Sequence, residues 1–253
     1  MTTADGSARR TAAALIIGNE VLTGKVQEAN VAVLGQTLFA LGVELRRVVI
    51  CPDEIEGIAA DLNGLRASHD LVFTSGGVGP THDDITIDAV AHAFGRRVVR
   101  SAEIERLIRG YHEPKGNEVT EAHLRMANVV EGARLVRTAE VLWPTLALEN
   151  VYVLPGVPEV FRLKLEVLKD ELARGEGFVS HAVYTQCDEG AIAKLLADVA
   201  EAHPGVTIGS YLKWRSEDYR TKITFDGPDE AAVMAAADEF VAGIGADELV
   251  RRG

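Results

Sequence analysis

The sequence predicts an α/β fold, a mostly parallel sheet wrapped by helices, followed by a small α+β C-terminal domain. Three observations carry this. Short apolar runs of strand length alternate with stretches of helical periodicity, polar glycine-containing loops follow the runs, and composition shifts around Ala173–Gly177. Repeated strand–loop–helix units imply parallel strands, because parallel neighbours need a crossover between them.

Taken in order, residues 11–18 are almost uniformly apolar, as a short strand buried on both faces should be. A polar loop runs from Asn19 to Gln27. Val31, Leu34, Leu38 and Leu41 then recur at helical spacing, with Gly42 placed to stop that helix. Val43 to Cys51 is β-branched and reads as a strand, followed by a helix through Ile55, Ile58, Leu62 and Leu65. A third strand, Asp70 to Thr74, leads into SGGVGPTHDD and a helix from Ile85 to Phe94. Ser101 to about Glu140 reads as a charged helical insertion across the top or edge of the sheet. Asn150 to Leu154 gives a further strand ending in PGVPE, where Pro158 suits the first position of a helix through Phe161, Leu165 and Leu168. Beyond the shift come a strand (His181 to Cys187), a helix (Ile192, Leu195, Leu196, Val199) and a hairpin (Val206 to Leu212 with Tyr219 to Phe225). An alanine-rich helix starts at Pro228. The expected division is a loose tail over 1–10, an α/β domain over 11–174 and a β-α-β-β-α domain over 178–253.

The totals bound the partners. Among 253 residues, 38 Asp plus Glu outnumber 26 Lys plus Arg, for a formal charge of −12. An acidic surface argues against nucleic-acid binding, which needs cations to neutralise phosphates. No apolar run approaches the roughly 20 residues of a spanning helix, so no membrane partner is expected. The apolar run near the N-terminus stops after eight residues at Asn19-Glu20 without a cleavage pattern, so it reads as a strand and a cytoplasmic location is expected. Cys51 and Cys187 are too few for a disulfide framework or a cysteine-rich metal site.

Three loops carry the chemistry. The strongest is Thr74-Ser75-Gly76-Gly77-Val78-Gly79-Pro80-Thr81-His82-Asp83-Asp84, between a buried strand and a helix start. Glycines there let backbone N–H groups approach a ligand, and the following helix offers unpaired N–H groups and a partial positive charge suited to phosphate. It is neither a Walker loop nor a GxGxxG fingerprint. A plain turn with Asp83 or Asp84 as an N-cap is the competing explanation. The second loop holds Gly18, Asn19, Glu20 and Gly24; the third is Pro155-Gly156-Val157-Pro158-Glu159. Either alone fits a tight turn, but all three lie at strand carboxyl ends, where open α/β sheets bind ligands. Asp53 closes the second strand with Glu56 three residues on, a pattern that an N-cap and capping box also explain. The functional reading is that Asp53 and Asp84 share a divalent cation, Mg²⁺, Mn²⁺ or Co²⁺, with substrate phosphates, since two carboxylates facing phosphate would otherwise repel it. Arg125 could reach back to the phosphate or simply be solvated. Asp83, Asp88 and Glu20 remain open as supporting groups or base.

These segments resemble a known family. TSGGVGPTHDDITID (residues 74–88) resembles the signature of the MoaB/MogA-like molybdopterin-binding domain, and IIGNEVLTGKVQEAN with VLPGVPEVF narrows the likeness to CinA proteins. DEGAIAKLLADVAEAHPGVTIGSY and DYRTKITFDGPDE are similar to the following CinA domain and to the molybdopterin-binding-like half of eukaryotic FAD synthases. The resemblance implies a three-layer α/β fold, homo-oligomers (dimers or trimers) and a pocket for a phosphate-bearing pterin or nucleotide. It implies that aspartates at the Asp53 and Asp84 positions serve pterin adenylylation or metal insertion in the pterin enzymes. It also implies that the same pocket serves metal-dependent cleavage of pyrophosphates such as ADP-ribose in the CinA-like branch, and that FAD hydrolysis goes with the FAD-synthase version. A binding module without turnover is the third expectation. Where CinA proteins carry a GTAPG-type segment this chain reads Val141-Leu142-Trp143-Pro144-Thr145, a departure on the distal side of the pocket.

Overall fold

A computed structural model describes residues 9–138, 141, 143–173, 177–215 and 217–253. Most of the expected tail (1–8), the centre of the expected linker (174–176) and residues 139, 140, 142 and 216 lie outside the described residues. The chain divides into two compact units, one spanning 10–174 and the other containing 175–253.

In the larger unit the elements run β1 (Thr11–Ile17), α1 (Asn19–Leu22), α2 (Asn30–Ala40), β2 (Glu44–Cys51), α3 (Ile55–Ser68), β3 (Leu71–Ser75) and α4 (Thr86–Phe94). Then follow β4 (Val98–Arg100), α5 (Ala102–His112), α6 (Glu121–Arg125), β5 (Asn128–Val130), β6 (Arg134–Val136), β7 (Thr145–Leu148), β8 (Val151–Leu154) and α7 (Pro158–Leu172). The main sheet has the order β2-β1-β3-β8-β7-β6. Its first four strands are parallel, and β7 and β6 extend it antiparallel.

Alternation along β1 explains the layers. Ala12, Ala14 and Ile16 pack with Leu34 and Leu38 of α2 and Phe161, Leu165 and Leu168 of α7. Ala13, Leu15 and Ile17 face the other way, onto Ile58 and Leu62 of α3 and Ala89 and Val90 of α4. Small residues along β1 let both helical layers approach the sheet closely. Pro158 occupies the first turn of α7, as its fixed φ and missing donor favour.

Two expectations need correction. The polar loop after β1 contains the one-turn helix α1, too short to show periodicity. The segment expected to be a helical insertion is only partly helical: β4 and β5 form a two-stranded sheet, and β6 joins the main sheet as an edge strand. The β7–β8 hairpin also had no sequence reading. It turns through Glu149-Asn150 with Glu149 at φ 52°, a left-handed conformation that glycine or asparagine would have announced.

The smaller unit contains β9 (Val179–Thr185), α8 (Glu189–Ala202), β10 (Thr207–Leu212), β11 (Thr221–Gly227), α9 (Glu230–Gly243) and β12 (Leu249–Arg252). Its antiparallel sheet has the order β10-β11-β9-β12. Val183, Ile223 and Phe225 of the sheet bury against Ile192 and Val199 of α8 and Val233 and Phe240 of α9. Asp188 and Asp229 cap the two helices, each accepting first-turn N–H groups. Strand β12 was not anticipated.

Candidate functional site

The chain leaves β1 toward α2 on one face of the sheet and leaves the adjacent β3 toward α4 on the other. Divergent connections from neighbouring parallel strands open a crevice at their carboxyl ends. There the larger unit carries a cavity of about 600 Å³, within the size range of small-molecule sites.

The glycine loop forms one wall. Gly76 sits at φ 109° and Gly77 at φ 62°, regions that side-chain-bearing residues rarely adopt. Thr86 locks the loop from below: its hydroxyl donates to the Gly76 carbonyl (2.8 Å) and its N–H to the Gly77 carbonyl (2.9 Å). Gly76 N–H donates to the Leu154 carbonyl at 3.2 Å, tying this loop to the end of β8. No side chain caps α4, whose N-cap is Ile85, so the reading of Asp83 or Asp84 as N-cap does not hold. Instead the Asp84 carboxylate accepts the Thr81 N–H (2.8 Å) and the Thr81 hydroxyl. Arg125 donates to the Asp84 backbone carbonyl at 3.0 Å, so it does reach back to this loop.

Of the residues singled out from the sequence, Glu20, Gly76, Gly77, Gly79, Asp84, Asp88, Arg125, Pro155, Gly156 and Pro158 line the cavity. Gly18, Asn19, Gly24, Asp53, Thr74, Ser75, Thr81, Asp83 and Glu159 are not among its lining residues. Thr74 and Ser75 are buried in β3 beneath the loop. Asp83 is exposed, 3.9 Å from His82. Asp53 is neither an N-cap nor a wall: Glu54 caps α3 by position, and the Asp53 carboxylate accepts the Asn19 N–H at 2.8 Å. It therefore braces the β1–α1 corner against the end of β2. The described residues contain no group of three or more His, Cys, Asp or Glu suited to hold a metal. Asp84, Asp88 and Glu20 line the cavity as separate carboxylates.

Two residues, Asn30 and Lys164, were missed, and Trp143 was noted only within a departing segment. Asn30, buried at the start of α2, donates from its amide to Ser75 Oγ (2.9 Å) and to the Gly156 carbonyl (2.8 Å), clamping the glycine loop to the third loop. Its only signal was a polar residue opening an apolar helix. Asn30→Leu should cost about 2–3 kcal/mol, because it orphans buried polar partners. Urea denaturation within 0.5 kcal/mol of wild type would contradict the clamp. Lys164 lies on the buried stripe of α7, between Phe161 and Leu165, and donates to the carbonyls of Trp143 and Pro144, the latter at 2.7 Å. Burial alone pushes its amine down to about 7. Trp143 lines the cavity beside Met126, Leu146 and Val160. The thiols are no nucleophiles: burial, with the Asp61 and Asp53 charges, pushes Cys51 up to about 12, and burial raises Cys187.

The fold and crevice define a class, α/β proteins that bind a small ligand where strand connections diverge. Residues 13–174 match the family described as "Probable molybdopterin binding domain", and the chain belongs to it. Residues 177–252 match "FAD synthase, middle domain". A Caenorhabditis briggsae protein named "Probable FAD synthase" is 31% identical over 262 residues, covering 93% of this chain and 50% of that protein. A "CinA-like protein" of Desulfosudis oleivorans is 28% identical, covering 89% of this chain and 57% of that one. The chain thus spans about half the length of these relatives. The solved structure of CinA from Thermoplasma acidophilum, described as of unknown function, aligns with a TM-score of 0.58 and 27% identity over 65% of this chain and 98% of that one. The CinA-like resemblance and the three-layer fold expected from the sequence therefore hold. No helix among the described residues is long and apolar enough to cross a membrane.

Proposed function

We propose that the chain is a divalent-metal-dependent nucleotide pyrophosphatase acting on a substrate of the ADP-ribose or FAD type. One observation carries this: a glycine loop and an uncapped helix start share a cavity with the carboxylates of Asp84, Asp88 and Glu20. Backbone N–H groups alone would describe an anion site. Carboxylates beside them repel phosphate unless a cation lies between. The Gly77 and Gly79 N–H groups would hold the pyrophosphate, the Gly76 N–H being engaged by the Leu154 carbonyl, and Arg125 supports the loop through the Asp84 carbonyl. Thr81 fixes the Asp84 carboxylate, which would hold the metal; Asp53 stands behind as a brace for the loop of Gly18 to Gly24. A bound divalent ion polarises a phosphoryl oxygen and lowers the pKa of water. Water adds to one phosphorus, the bridging P–O bond breaks, and two monophosphates leave. Asp88 or Glu20, both lining the cavity, would take the proton that water loses. The names of the relatives support nucleotide chemistry.

The test is AMP release from ADP-ribose and from FAD, with and without Mg²⁺, Mn²⁺ or Co²⁺. Metal-dependent release that falls about a hundredfold or more in Asp84→Ala is the expected result, the loss of several kcal/mol of charge stabilisation. The family description favours a second reading, pterin binding or adenylylation. No AMP from either compound, with a pterin bound at the same loop, would replace the first reading by the second.

A further inference from the structure

We infer that Trp143, held in place by Lys164, is the platform on which the planar ring of a phosphate-bearing heterocycle stacks. This rests on the glycine loop holding phosphate. Sheet order sets the spacing. Ser75 at the end of β3 pairs with Leu154 of β8, and Val153 pairs with Leu146 of β7. Because β7 runs antiparallel, its start emerges at the same sheet end as the glycine loop. It lies two strands away, about 10 Å. Trp143 and Pro144 immediately precede β7 and line the same cavity, so this segment stands about that far from the glycine loop, a separation that the sugar or linker of a nucleotide spans.

The lining changes character across that gap. The glycine loop and the start of α4 bring Asp84 and Asp88 to the cavity, and the segment entering β7 brings Trp143, Pro144 and Leu146. Trp143 lines the cavity and keeps 37% of its surface exposed, so aromatic surface is accessible there for a ring to stack on. Lys164 explains how that face is held. A lysine on a buried helical stripe is costly. Its amine donates to the two consecutive carbonyls at Trp143 and Pro144, and Pro144 has no N–H with which the strap could hold itself. Lys164 is therefore a positioning residue.

The chain has two tryptophans, so Trp214→Phe leaves Trp143 as the only fluorophore of its kind. In that background AMP should quench the emission, and ribose 5-phosphate, which lacks the ring, should not. By calorimetry, Trp143→Ala and Lys164→Met should each weaken AMP or FMN binding about tenfold or more, the size of base–aromatic stacking. Inorganic pyrophosphate and ribose 5-phosphate should change less than twofold, and Trp143→Phe should retain most ring affinity. Whichever of AMP and FMN responds identifies the ring. Pyrophosphate binding accompanied by ring affinities indifferent to Trp143→Ala overturns the platform alone. Absence of pyrophosphate binding to the wild type overturns the phosphate site and this inference together. Trp143→Ala changes a partly exposed side chain, so the test survives if Lys164→Met fails to fold.

Discussion

Replacing Gly76 by alanine should destabilise the larger unit by more than about 3 kcal/mol. Two effects add. The residue sits at φ 109°, and a Cβ there would lie 2.1 Å from the Ile17 backbone oxygen. That oxygen belongs to the end of β1, so nothing flexible can move aside. Urea denaturation should show a clear fall in midpoint, and a loss below 1 kcal/mol would mean that the loop can rearrange. Gly79→Ala is the informative contrast. Its Cβ would meet the Asp84 carboxylate at 2.6 Å, the end of a side chain. Stability should change little there while metal-dependent turnover falls, because Asp84 must swing away from Thr81.

The second large effect is a pH dependence at Lys164. Its amine is pushed down from 10.5 to about 7 by burial. Below about 7 it is charged in both native and unfolded chains, and the full cost of burying the charge weighs on the fold. As pH rises from 7 toward 10.5 the native amine is neutral while the unfolded one still binds a proton, so stability increases with pH. The span is on the order of 5 kcal/mol. Lys164→Met loses the hydrogen bonds to Trp143 and Pro144 but has no such titration. The stability of wild type relative to Lys164→Met should therefore rise steadily between about pH 6.5 and pH 9.5. A constant gap across that range would show the amine to be solvated, contrary to its burial.

Much of the larger unit was legible because its central strands are extreme. Strands β1, β3 and β8 are buried on both faces and read as short, largely apolar runs. Elements near the rim were not. β4, β5 and β6 have three residues each, fewer than any periodicity needs. Asp53 shows why local patterns mislead: Asp and Glu three apart fit a capping box, yet the carboxylate bonds to Asn19, 34 residues away. The glycine loop was readable because backbone conformation at Gly76 and Gly77 constrains the residue type directly. Asn30 and Lys164 act through carbonyls of distant loops, a relation absent from linear order. Lys164 nonetheless left a trace, a cation at i+3 from Phe161 and i−1 from Leu165 on an otherwise apolar stripe.

The clamp between the first, third and last loops of the sheet also bears on how the chain reaches its native state. Ser75 meets Pro155 across 80 residues, and Asn30 meets Gly156 across 126. Contacts so distant in the chain are entropically expensive to nucleate and slow the search. Their cost grows only logarithmically with loop length, about 0.6 kcal/mol per doubling. Lengthening an exposed turn within the stretch between β3 and β8, such as that around Gly116 and Asn117, should thus alter equilibrium stability little while changing the refolding rate. On a ribosome, a nascent chain that has not yet emitted β8 would hold two of the three loops and no cavity. Ligand binding would then report completion of the larger unit, and a bound ligand would slow its unfolding more than it speeds its assembly.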